Sequence, residues 1–377
     1  MSVMKSRPAM RWLVPGAAAV VVIGGGAAVG TFSASAEPSL PTRSAAQLLV
    51  DLQTARLDGM SGTVVQKADL GLPSVMDLAG KVGPGLTSLV AGTHTLRVWY
   101  AGPDQARVAL MDTLGETDVI RNGKDLWIWS SQSKEAAHHT LSAAEAERPK
   151  GLATGLPTSP QEAADQALAA IGPSTEVSVG RSAKIAGRDA YELVIAPRDK
   201  ASLVGQARIA IDAKEHVPLR FEIYPKGSDN TAFEVAFTQV DFARPAAEQF
   251  RFNPPPGTKV TEDSGAPGLL PGMDLGEKAG EKPKAGTPDR ADHGEGTKPT
   301  SVGEGWTTVM VGKVGTPDQG DAQAQSMLNV LPKVNGAWGS GRLLSSRLFS
   351  VLLTDDGRVL AGAVNPERLY EVAGTTK

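Results

Sequence analysis

Residues 120–132 read IRNGKDLWIWSSQ. Asn122-Gly123 is a strong short-range hairpin signal, because the type I′ turn it predicts needs positive φ at both central residues. The flanks then read as two strands. In a strand, residues two apart share a face, so Trp127 and Trp129 point together while Leu126 and Ile128 point the other way. Both faces are apolar. A sheet with one wet face alternates apolar with polar, so this strand is covered on both sides, or one side lines an enclosed space. Two readings of the tryptophan pair stay open. The rings fill a core, where aromatic side chains commonly sit, or they form the wall of a wide apolar pocket.

The same period-two pattern extends in both directions. Residues 94–110, HTLRVWYAGPDQARVAL, read as strand, Gly-Pro turn, strand, and carry a third candidate, Trp99; residues 134–141, KEAAHHTL, add another strand. Further on, 176–197, 205–225, 232–242 and 250–257 (FRFNPPPG) read as strands, with turns at Gly187-Arg188-Asp189, Asp212-Ala213-Lys214 and Gly227-Ser228-Asp229-Asn230. Hairpin-connected strands in this number predict one large antiparallel sheet, and an open sheet this wide tends to curl. Helices are predicted over 44–57, capped by Ser44, and over 159–171, where Ser159 caps, Pro160 is first and Glu162 follows. Residues 71–92, GLPSVMDLAGKVGPGLTSLVAG, mix apolar side chains with glycine and proline breaks. They read either as a loop packed on the surface or as a mobile lid over an apolar opening, with Met76 and Leu78 as its candidate lipid contacts.

The two ends of the chain differ from this body. Lys5, Arg7 and Arg11, with no acid, precede an apolar run over 12–30, and Ala34-Ser35-Ala36 offers a small-x-small cleavage site. This is the pattern of an export signal over 1–36, or of an uncleaved anchor, and it places the protein outside the cytoplasm, secreted or at the outer face of the membrane. Residues 261–303 hold little large apolar side chain and much Gly, Pro, Lys and Glu, which predicts a disordered linker between a domain over 37–260 and a small α+β domain over 304–377. In that last part 305–314 reads as a strand, 322–334 as a helix, 343–364 as a hairpin through Asp355-Asp356-Gly357, and 365–372 as a terminal helix capped by Asn365.

Composition and motifs argue against several classes of function. The 377 residues carry a net charge of -3, without the basic face a nucleic-acid binder needs. Absence of cysteine removes disulfides, thiolate metal sites and cysteine nucleophiles. None of the histidines His94, His138, His139, His216 and His293 stands in a two-histidine helical motif, and His138 and His139 fall on opposite faces of one strand. There is no nucleophile elbow and no phosphate loop; 338–342, WGSGR, reads as a tight turn before a strand. A binding protein without catalytic chemistry or cofactor is expected, with an envelope hydrolase as the competing reading.

The hairpin motif Asn122, Gly123, Leu126, Trp127, Trp129, followed by a polar turn and another strand, resembles that of the LolA-like lipoprotein carriers. Residues Phe250, Phe252, Pro254 or Pro255, Gly257 and Val260 are similar to that family's closing strand, and the resemblance covers about 44–260. The two-part plan is closer still to RseB/MucB-type regulators of a membrane-bound anti-sigma factor. The resemblance implies a mostly β fold, a curved antiparallel half-barrel with plugging helices, and an apolar cavity holding lipid or acylated protein, with peripheral membrane contact and Trp127 and Trp129 on the cavity wall.

Overall fold

The computed structural model describes residues 40–72, 89, 91–112, 115–142, 159, 172–263, 300–313 and 330–376. The predicted helix over 159–171 apart from Ser159, residues 322–329 of the helix predicted over 322–334, the export signal, most of the segment over 71–92 with Met76 and Leu78, and 264–299 lie outside them; the end of that predicted helix is corrected, since Lys333 and Val334 follow Pro332 into a strand.

The chain enters through helix α1 (Ala45–Thr54). Ser44 closes a capping box: its hydroxyl accepts from the Gln47 backbone N–H at 3.2 Å, and the Gln47 side chain accepts from the Ser44 N–H at 2.9 Å. Leu48 and Leu52, one turn apart, bury one face of the helix. The strands that follow are β1 (Met60–Ala68), β2 (Gly92–Tyr100), β3 (Gln105–Asp112), β4 (Gly115–Asn122), β5 (Asp125–Ser130) and β6 (Glu135–Thr140). After them come β7 (Thr175–Val179), β8 (Ala183–Ile185), β9 (Arg188–Pro197), β10 (Val204–Asp212), β11 (Pro218–Pro225), β12 (Phe233–Asp241) and β13 (Lys259–Asp263). Together they make one unclosed sheet of 13 strands in the order β13-β6-β5-β4-β3-β2-β1-β12-β11-β10-β9-β7, with β8 paired to β9. Every pairing is antiparallel except β13 on β6, which is parallel.

Three local expectations are corrected. The β4–β5 loop is Gly123-Lys124, because Asn122 pairs with Asp125 in the ladder and its side chain accepts from Gln105 at 3.1 Å. Only Gly123 takes positive φ there, so the turn needs one left-handed residue where type I′ needs two. The turn before β9 is Ala186-Gly187, both at positive φ, while Arg188 and Asp189 belong to the strand. Residues 250–257 are not a strand. Phe250 ends a 3₁₀ turn (Ala247–Phe250), and pairing resumes only at Lys259, since Pro254, Pro255 and Pro256 have no N–H to give a ladder.

The second sheet has the order β14-β15-β19-β18-β17-β16: β14 (Thr300–Val302), β15 (Val309–Lys313), β16 (Lys333–Gly336), β17 (Gly339–Ser345), β18 (Ser350–Thr354) and β19 (Arg358–Gly362). Helix α2 (Pro366–Thr375), capped by Asn365, packs on β18 and β19 and buries Leu369, Val372 and Ala373. Trp338 lies in the β16–β17 turn and stacks on Tyr370 at 5.5 Å. The two sheets end a few residues inside the linker bounds read from composition, because β13 and β14 carry 261–263 and 300–302 into ladders.

The sheets meet through a small apolar cluster of Leu70, Val204, Ala232 and Leu348, with Trp306 and Phe349 packed against it. Backbone bonds cross the junction, Leu203 N–H to Ala363 O at 2.8 Å and Arg347 N–H to Leu70 O at 2.7 Å. The Arg347 guanidinium donates to Asp69 at 2.6 Å, to Ser228 Oγ at 3.2 Å and to the Asn230 carbonyl at 3.4 Å, and Trp306 Nε1 donates to Thr175 Oγ1 at 2.8 Å.

Candidate functional site

Cross-strand register assigns every β1–β6 side chain to one of two faces. Val98, Val108, Val119, Ile128 and Ala137 stand opposite one another across β2 to β6 and form a continuous apolar row. Val64, Leu96 and Leu110 make a second, shorter row beside it on the same face. This face belongs to the main core. Val64, Leu96, Val98 and Leu110 cluster with Leu48 and Leu52 of α1 and with Leu193, Ile209, Phe221 and Phe237 of the later strands, and Val108 and Val119 pack against them. α1 packs on β7 and β9. Burial falls along the first row: Val98 is buried, while Val108, Val119 and Ile128 are only half-buried.

Gln66 borders this apolar patch. It follows Val64 on the same face of β1 and is fully buried. Its Nε2 donates to the Leu89 carbonyl at 3.0 Å. Its Oε1 is sealed from solvent and has no hydrogen-bond partner among the described residues. Opposite it on β2, His94 places Nε2 at 2.8 Å from the Ala91 carbonyl.

The tryptophans occupy the other face. Trp99, Arg107, Ile120, Trp127 and His138 align across β2 to β6, and Trp129 stands in the next row with Asp118 and Ala136. Phe252, on the strap between β12 and β13, covers the pair, with ring centroids 5.1 Å from Trp127 and 5.9 Å from Trp129. The 3₁₀ turn beside it packs on β3 and β4 and buries Phe250. Trp127 also stacks on His138 at 4.2 Å and 16°. Both tryptophans are half-buried, and Trp129 Nε1 is buried with no hydrogen-bond partner among the described residues. Trp99 lies under Arg107, 5.1 Å from ring centre to guanidinium. The three tryptophans thus share a face, but it is the face that carries Phe252 and not the one continuous with the core under α1. Their strand neighbours Leu126 and Ile128 point to the core side.

The ionisable groups near these surfaces are engaged with one another. Arg107 holds the buried Asp118 through two bonds of 3.1 and 2.8 Å and reaches Glu116 at 3.4 Å. Burial and the neighbouring Asp118 charge raise the Glu116 pKa. His138 bridges strands, Nε2 at 2.9 Å from Asp125 and Nδ1 at 2.8 Å from Glu262 on β13. Burial disfavours its charged ring, but the bonds to Asp125 and Glu262 outweigh this and raise its pKa above the ordinary histidine value. A cleft of about 410 Å³ opens beside the start of α1, between Leu40, Arg43, Arg188, Tyr191 and Lys214. At its edge Asp212 is buried and paired with Arg188. Burial opposes ionisation of Asp212, yet Arg188 and the N–H groups of Glu215 and Lys214 pull its pKa down. None of Trp99, Trp127 and Trp129 lines this cleft. Among the described residues no group of three or more His, Asp or Glu could hold a metal ion, and no helix is long and apolar enough to cross a membrane.

Sequence reading does not single out Gln66 or Arg347, and it places Phe250 in a closing strand where the structure has the end of a 3₁₀ turn. For Gln66 the available signal is parity, since it shares the phase of Val64 and Ala68 in TVVQKA.

No protein-family model and no curated protein matches the chain. Among solved structures it is similar to MucB of Pseudomonas aeruginosa in the MucA/MucB complex, at 16% identity and TM-score 0.43, covering 87% of this chain and 96% of that one. It is also similar to a LolA superfamily protein from Nitrosomonas europaea, at 11% identity and TM-score 0.23, covering 56% and 99%. A third likeness is to a putative outer membrane lipoprotein-sorting protein domain from Vibrio parahaemolyticus, at 12% identity and TM-score 0.22, covering 54% and 93%. The architecture itself is the one the sequence motifs implied: a large unclosed sheet carrying a helix, and a small second sheet with its own helix.

Proposed function

We propose that this chain is an extracytoplasmic, non-enzymatic binding protein. It takes up lipid or the acyl chains of a lipidated protein on the core-side face of its large sheet, as a carrier or an envelope sensor. One observation carries the reading: the apolar row Val98, Val108, Val119, Ile128, Ala137 crosses five strands, yet its β3–β5 members are only half-buried. Four strand spacings of about 4.8 Å make a strip on the order of 19 Å, matched to one acyl chain. On this reading Ile128 and Leu126 touch the chain, while Trp127, Trp129 and Trp99 stiffen the same strands from behind.

The test is purification without detergent, organic extraction and mass spectrometry. The wild-type chain should carry stoichiometric acyl chains, and Ile128→Asp should lose them. A wild-type chain that carries none, and takes none from vesicles, overturns the reading. A second reading, a regulator that binds a membrane-bound anti-sigma factor, is favoured by strand β16, which among the described residues forms a sheet edge with Lys333, Asn335 and Gly336 exposed, where a strand could be added. In that case a lipid-free chain binds its polypeptide partner, and substitutions on β16 abolish the binding.

A further inference from the structure

We propose that Gln66 reads the head of the bound lipid: its carboxamide oxygen takes a hydrogen bond from a neutral acyl lipid whose head offers an O–H or N–H donor, and it discriminates against an ionised fatty acid. The inference rests on the acyl-binding reading and adds the chemistry of the head group.

The orientation of the amide follows from its partner. A backbone carbonyl can only accept, so the atom 3.0 Å from Leu89 O is the amide nitrogen, and the opposite atom is the oxygen. That oxygen is buried and unpartnered among the described residues. The groups nearest along the ladder cannot serve it. Val64 and Ala68 flank Gln66 on its own strand face, and Val235 faces it from β12. His94 faces it from β2 and commits Nε2 to the Ala91 carbonyl. A buried acceptor left unpaired is a cost that folded chains seldom carry without use. Here the acceptor borders the apolar patch, one residue pair beyond Val64 and Leu96. A chain laid on the patch brings its head group to this point. A glycerol hydroxyl or an amide N–H repairs the missing bond. A carboxylate brings only acceptors, and its charge is opposed by the partial negative charge of the amide oxygen.

The shared chemistry, a neutral donor at the head of an acyl chain, has two sources, a free glycerolipid or an N-acylated protein. Three probes separate the possibilities when titrated at pH 8 against a fluorescent acyl reporter bound to the full chain: 1-palmitoylglycerol, an N-palmitoyl peptide amide and palmitate. At least one donor-bearing probe should bind about tenfold more tightly than palmitate, and Gln66→Leu should erase that gap. Tighter binding of the glycerol ester points to a free lipid, and tighter binding of the acyl peptide points to a lipidated protein. Gln66→Met, with an unbranched side chain, serves if the leucine variant does not fold. Equal affinity for all three probes in the wild-type chain overturns the proposal and leaves the acyl-binding reading standing. A preference that survives the Gln66 substitutions overturns it too. If no probe binds the wild-type chain, the parent reading falls and takes this one with it.

Discussion

Gly62 sits in β1 where no side chain fits. A Cβ there would meet the Gln239 carbonyl oxygen at 2.4 Å and the Phe237 ring at 2.9 Å. The carbonyl belongs to the paired strand β12, so it cannot swing aside as a side-chain tip could. Gly62→Ala should therefore destabilise the protein by about 1–3 kcal/mol, read as a lower urea midpoint. Gly172→Ala is the control: among the described residues nothing lies within 4 Å of its Cβ position, and its effect should stay within about 1 kcal/mol. His138 supplies a second residue-scale prediction. Its pKa is raised in the folded chain, so its contribution to stability is complete below the ordinary histidine pKa and is lost as pH rises through the raised value. Indole emission from Trp127, stacked on that ring, should change over the same window. Glu262→Gln should move the transition to lower pH, because it removes one of the two carboxylates that hold the proton. An NMR titration of the His138 ring that is identical in wild type and Glu262→Gln would show that the bridge to β13 does not form.

Among the elements, β5 shows what a sequence can and cannot disclose. Its existence was legible: alternation and the Asn-Gly pair led to β4, β5 and their turn, with only the turn type and its position misread. Which way its side chains face was not legible. Leu126, Trp127, Ile128 and Trp129 are all apolar, so a period of two separates two sets without saying which set meets the core. The decision is made by Phe250 and Phe252, more than a hundred residues downstream, whose strap lies over one face only. Alternation of Phe250 and Phe252 reads as a strand, and three successive prolines defeat the ladder. Gln66 hid for the opposite reason, since a polar residue in a strand looks solvent-facing until its phase is compared with Val64. A prediction at this scale separates the two faces of β5. Trp129→Ala opens a gap under Phe252 and should cost less than the roughly 3–5 kcal/mol of a filled core, because the ring is half-buried, with acyl binding retained. Ile128→Asp should do the reverse, losing acyl binding at smaller cost to folding. Thermal melts and lipid extraction on the two variants check both statements.

On the scale of the whole molecule, few groups among the described residues hold the two sheets together. Arg347 alone touches Asp69, Leu70, Ser228 and Asn230, and thus joins the second sheet to the end of β1 and to the β11–β12 turn. Asp69 is largely exposed, so the ion pair itself contributes little, and the bonds to the neutral Ser228 and Asn230 oxygens with the Leu70 and Val204 cluster matter more. After proteolytic cleavage within 264–299 the two parts should still elute together from a sizing column. With Arg347→Ala the same cleavage should let them separate, and the Leu203 amide should exchange faster with deuterium. Separation of the nicked wild-type chain would show the junction to be weaker than its bonds suggest. The parallel strand β13 carries a different consequence. An unclosed sheet ends in two rows of unpaired backbone groups, and such rows recruit other chains. At one end the chain covers β6 with its own β13, which presents Lys259, Thr261 and Glu262 to water together with the exposed Val260. A protein lacking only residues 259–263 keeps both sheets and their junction but bares the β6 edge, and it is expected to self-associate and precipitate where the full chain stays dispersed.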